Sequence, residues 1–126
     1  MKFMAIGYFD RAAMDALTPA ELDATLSQCG PAMQALYATG QVRLDVGLAT
    51  QGKGVCTRGG TLRVTDGPFA EAKEVIGSAL LIEADTLEDA MRVAALHPAA
   101  ALAAGERLGW RLEVRPVHYF SDGPQG

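Results

Sequence analysis

The chain has 126 residues, 49% apolar and 21% charged, and carries a net charge of −4. That length suits one domain with a real core but not two, and the composition excludes a disordered chain. The acidic balance, with no basic run, excludes direct nucleic-acid binding through bulk electrostatics.

Lys2 to Tyr8 is short, apolar and rich in aromatics, which predicts a strand ending at Asp10. No window reaches the ~18 uninterrupted apolar residues of a membrane span. The N-terminal stretch lacks the long apolar region and cleavage site of a secretory signal, so a cytoplasmic protein is expected. Thr18-Pro19-Ala20-Glu21 is a helix start. Thr18 caps, Pro19 sits where its missing N–H costs nothing, and Glu21 completes a capping box. Leu22, Leu26, Cys29, Met33 and Leu36 then recur at helical spacing and predict one buried face. Pro31 predicts a kink in this helix, and Gly40 ends it.

Val42, Leu44, Val46 and Leu48 alternate with Arg43, Asp45 and Gly47, the pattern of a half-buried strand with its charges on the opposite face. Arg58-Gly59-Gly60 predicts a hairpin turn between Val55–Thr57 and Thr61–Thr65. Val75 to Ala84 is apolar on both faces, as a central strand requires. A second helix starts at Thr86 and stops at His97-Pro98, followed by a helical turn or two over residues 99–107. Trp110, Leu112 and Val114 alternate with Arg111, Glu113 and Arg115 in a last strand, whose end Pro116 confines to a sheet edge or a bulge. The order is strand, helix, strand, hairpin insert, strand, helix, strand. That is an α+β, ferredoxin-like split βαβ plan: an antiparallel sheet with helices on one face. The expected domain is residues 1–120, with a loose tail over 121–126.

The run Asp66-Gly67-Pro68-Phe69-Ala70-Glu71-Ala72-Lys73-Glu74 holds more than a turn needs. Asp, Gly and Pro suffice to reverse a chain; the aromatic and the acids and base that follow are surplus. With Met1-Lys2-Phe3-Met4, Leu96-His97-Pro98 and Glu113-Val114-Arg115-Pro116-Val117, this run resembles the YCII-related family, in particular its DGPF-domain branch. The resemblance spans nearly the whole chain. It implies a homodimer whose two sheets face each other as a dimeric α/β barrel, with a pocket between or beside them. The family's activity is not established. Shorter members suggest a His–Asp pair, with the His inside the first helix; here that helix has no His, so the pair does not carry over.

His97 suits proton transfer, with an unperturbed pKa of ~6.5, but a His at a helix end also caps it. Asp66 either bonds its own turn or orients His97 as a carboxylate orients imidazole in a triad. These two are the candidate catalytic pair. Lys73, Phe69, Glu71, Glu113, Arg115, Tyr8 and Trp110 are the candidate ligand-binding residues, with Lys73 or Arg115 holding an anionic group. Glu71 and Lys73 serve equally as a solvated loop, and Phe69 as a core plug. Cys29 and Cys56 are isolated and make no metal spacing. No phosphate loop or nucleophile elbow is present. The expected function is binding of a small polar or anionic molecule, without metal or other cofactor, with acid–base chemistry as an enzyme reading. The alternative is a non-catalytic regulatory module reaching sigma-factor-dependent transcription through a protein partner.

Overall fold

The computed structural model describes residues 1–67 and 72–123. Its elements run β1 (Lys2–Asp10), α1 (Arg11–Asp15), α2 (Pro19–Ser27), α3 (Cys29–Ala38), β2 (Val42–Gly47), β3 (Gly52–Arg58) and β4 (Thr61–Gly67). They continue as β5 (Glu74–Glu83), α4 (Leu87–Ala94), α5 (Pro98–Ala101), α6 (Ala104–Leu108) and β6 (Arg111–Pro116). Four strands form an antiparallel sheet in the order β2-β5-β1-β6, and β3 and β4 form a separate two-stranded ribbon.

This is a mixed α/β fold with two small sheets and several helices, which corrects the expected ferredoxin-like dimeric α/β barrel. Among the described residues, the larger sheet stops at two free edges, β2 and β6, and the ribbon strands pair only with each other. A barrel requires every strand to have two neighbours, and neither sheet closes.

Phe3, Ala5, Leu80 and Ile82, from the two central strands, pack under Leu36 of α3 and Ala90, Val93 and Ala94 of α4. Leu112 and Val114 of β6 join this core, while Arg111, Glu113 and Arg115 lie exposed on the other face. Thr18 makes the capping box that starts α2: its hydroxyl accepts from Glu21 N–H at 3.1 Å, and Glu21 accepts from Thr18 N–H at 3.0 Å.

The helical segment differs from expectation in two ways. It breaks at Gln28 into α2 and α3, three residues ahead of Pro31. The break places Pro31 in the first turn of α3, where no intrahelical N–H bond is lost. The buried face of α2 is also rotated. Thr25 is buried, with its hydroxyl donating to the Glu21 carbonyl at 2.8 Å, while Leu22 and Leu26 are exposed.

A bulge in β2 overturns the expected alternation. The register with β5 shifts between Val42 and Leu44, so that Asp45 stands opposite the buried Leu80. Asp45 therefore shares the helix-covered face with Val42, and Leu44 and Val46 point to the open face, where they are exposed. An inserted residue reverses every side chain beyond it, because strand side chains alternate with period two.

Candidate functional site

The ribbon turns at Gly59 and Gly60, whose φ values of +58° and +78° suit a two-residue hairpin loop. Beyond its open end, Leu48 N–H donates to the Gly77 carbonyl at 2.8 Å and continues the β2–β5 pairing. Between the ribbon's base and the start of β5 lies a hollow of about 430 Å³. Leu48, Val75 and Ile76 form its apolar floor; Lys53, Asp66 and Glu74 stand at its rim. Lys53 and Asp66 are cross-strand neighbours and form an ion pair, with both side chains well exposed. Such a pair contributes little to stability and is free to exchange partners.

Glu74 is held firmly. Arg111 Nε and Nη2 donate to its two carboxylate oxygens at 2.6 and 3.1 Å, and these bonds lower the Glu74 pKa below the usual carboxylate value. The Arg111 guanidinium also lies 4.1 Å from the centre of the Tyr8 ring, a cation–π arrangement.

The expected site residues fall in several places. Asp66 lines the hollow at the ribbon base. Lys73 lines a separate polar cleft with Asp10, Glu106 and Arg107, on the other side of Glu74. Tyr8 and Trp110 share a small cavity of about 160 Å³ with Ser78 and Ala99, and the Trp110 indole N–H points at Met14 Sδ at 3.4 Å. Glu113 and Arg115 are exposed on the open sheet face. Phe69 and Glu71 lie outside the described residues.

His97 is half-buried in the step between α4 and α5. Its Nδ1 accepts from Ala99 N–H at 3.0 Å, capping the start of α5. The imidazole thus caps the beginning of the following helix, whereas a place in the last turn of the preceding one was expected. Burial pushes its pKa below the ordinary value, and the Asp45 carboxylate partly offsets that. No hydrogen bond joins His97 to Asp66. The charge that acts on it is Asp45, which accepts a hydrogen bond from the Tyr37 hydroxyl. That bond raises the Tyr37 pKa. Tyr37 and Asp45 meet across α3 and β2, with the Asp45 charge acting on His97, an arrangement that sequence reading missed, because the β2 bulge carries no signal in residue type.

Among the described residues, no group of three His, Cys, Asp or Glu side chains is placed to hold a metal, and no helix is long and apolar enough to cross a membrane. Cys29 is part-buried, with its thiol directed at the Thr25 carbonyl; burial pushes its pKa up, the reverse of what activates a thiol.

A mixed α/β fold with an open hollow beside Asp66 and Gly67 is the class of protein these features define. The family model of the YCII-related domain matches residues 1–110, and the chain belongs to that family. No curated protein matches the chain.

Proposed function

We propose that this chain is a small-molecule-binding module whose site is the hollow at the base of the ribbon. The observation that carries the reading is the combination of an apolar floor, Leu48, Val75 and Ile76, with an exchangeable cation, Lys53, at its rim. Binding sites are concave and mostly apolar, with a few placed polar groups. The matching ligand has a compact apolar body and one carboxylate or similar anionic group. On binding, Lys53 exchanges Asp66 for the ligand, and Asp66 remains nearby as an acceptor. The Asp66-Gly67-Pro68-Phe69 run, whose first two residues line the hollow, supports a place in the DGPF branch of the family.

The test is a thermal-shift screen of small carboxylates, since a ligand bound only by the folded state raises the melting point. A hit is expected to lose most of its shift in Lys53→Ala and in Leu48→Arg. A screen without hits, or hits indifferent to both substitutions, overturns the reading.

A second reading is acid–base chemistry at His97. Burial disfavours the charged imidazole, and an accepting Nδ1 places the neutral ring's proton on Nε2. In this reading Asp45, and not Asp66, is the carboxylate that tunes it.

A further inference from the structure

Glu74 borders two spaces. One is the hollow at the ribbon base; the other is the polar cleft, about 670 Å³, between α6 and the ends of β1 and β5. Backbone contacts fix the walls of this cleft. Asp10 and Glu74 are register partners at the last step of the β1–β5 pairing. Arg11 N–H donates to the Lys73 carbonyl at 3.1 Å. Gly109 lies against Asp10, which caps α1 through its Oδ1 alone. Walls set in advance lower the ordering cost of binding.

The charges on these walls are balanced but not paired. Lys73 and Arg107 face the cleft with Asp10 and Glu106. Glu74 is a third acid, but Arg111 meets its charge. Among the described residues, no ion pair joins Lys73 or Arg107 to Asp10 or Glu106. Glu21, which also feels the Arg107 charge, has its carboxylate bound to Thr18 N–H. Beyond the Arg111 bonds, Lys73 lowers and Asp10 raises the Glu74 pKa, so charges of both signs act within this one space.

Opposite charges that line one space without touching select against an ion of single sign. A simple anion gains from the two bases and is repelled by the two acids, and a simple cation the reverse. A molecule carrying both signs gains from all four. We propose that this cleft binds a small zwitterion of the amino-acid type, its carboxylate taken by Lys73 and Arg107 and its ammonium by Asp10 and Glu106. The Arg107 guanidinium offers a planar fork that matches a carboxylate, and Lys73 a point charge beside it. Asp10 Oδ2 and the Glu106 carboxylate are acceptors suited to an ammonium with three donors. Lys73, Glu106 and Arg107 are exposed, so water and salt weaken each contact. The dissociation constant is then on the order of 1 mM and rises with ionic strength. The site is separate from the hollow and needs neither Lys53 nor Leu48.

The test is an amide NMR titration of the full chain. The probes are glycine and γ-aminobutyrate, which differ in the spacing of their two charges; acetate and methylammonium at equal ionic strength are the single-sign controls. At least one zwitterion is expected to give saturable shifts at the Arg11, Lys73 and Gly109 amides, with an affinity roughly fivefold or more above either control. Arg107→Met and Glu106→Gln are each expected to weaken that binding roughly fivefold or more, and Lys53→Ala to leave it unchanged. Both cleft substitutions lie on exposed side chains, and the dispersion of the same spectra reports that the variants stay folded. Shifts that do not saturate, or controls that bind as well as the zwitterions, overturn the proposal. So does binding indifferent to both cleft substitutions, or binding lost in Lys53→Ala, which would place the ligand in the hollow.

Discussion

The Tyr37 hydroxyl donates to the Asp45 carboxylate, joining the last turn of α3 to strand β2 on the covered side of the sheet. The contact exists because one extra residue in β2 turns Asp45 inward. Among the described residues, Asp45 is in turn the charge that offsets the desolvation of His97. Replacing Asp45 with Asn removes that charge while keeping an acceptor for Tyr37. The His97 pKa, followed by the imidazole resonances in an NMR titration, is expected to fall further. An unchanged or higher value would show that Asp45 does not act on His97.

The lowered His97 pKa has a consequence for stability. Where the folded-state pKa lies below the unfolded value, the unfolded chain binds the proton first as pH falls. Stability is then undiminished above the unfolded pKa of ~6.5 and is lost progressively as pH drops towards the folded value. His97→Asn keeps a side-chain oxygen to cap α5 but does not titrate. Melting temperatures of the two proteins are expected to converge at mildly alkaline pH relative to pH 5, with the parent showing the steeper acid-side decline. Parallel declines would assign the acid sensitivity to other groups.

The rotation of α2 is open to a paired test. Leu36 is fully buried, so Leu36→Ala is expected to cost about 2–5 kcal/mol in denaturant unfolding. Leu26 is 52% exposed despite its place in the helical repeat, and Leu26→Ala is expected to cost about 0.5 kcal/mol or less. Comparable losses at both positions would restore the single buried face that periodicity alone predicts.

These cases mark what was legible in the chain. The capping box at Thr18, the glycine turn at Gly59-Gly60 and the edge placement of β6 depend on neighbouring residues, and residue type announces them. The break at Gln28 also belongs to local chemistry, since Pro31 demands it; only its position, ahead of the proline, was out of reach. The β2 bulge was not legible. Val42 to Leu48 alternates cleanly, and the register is decided by what β5 and the helices offer to either side of it. That one shift placed Asp45 with Tyr37 and His97, and left Leu44 and Val46 uncovered. The scatter of the expected site residues among separate hollows is likewise a matter of tertiary packing. Sequence order put Asp66 and His97 in a plausible pair, but Asp66 belongs to a ribbon that packs chiefly on itself, and its cross-strand neighbour Lys53 meets its charge.

Gly109 shows how a single backbone position holds two elements together. It ends α6 at φ +66°, a conformation that L side chains rarely adopt, and a Cβ there would come within 2.7 Å of Asp10 Cβ and 3.2 Å of Asp10 N. Asp10 cannot retreat freely, because its carboxylate accepts from Ala13 N–H at 3.0 Å and caps α1. Gly109→Ala is therefore expected to cost about 1–3 kcal/mol, combining backbone strain with overpacking. Shortening the neighbour separates the two causes. Asp10→Gly removes the Cβ that the added methyl group would strike, and also removes the α1 cap. If the clash dominates, Gly109→Ala costs clearly less in Asp10→Gly than in the parent, falling towards the roughly 1 kcal/mol of the left-handed backbone alone. If the left-handed backbone dominates, it costs the same about 1 kcal/mol in either background. A double-mutant cycle by chemical denaturation distinguishes these outcomes, and a Gly109→Ala protein as stable as the parent would contradict both.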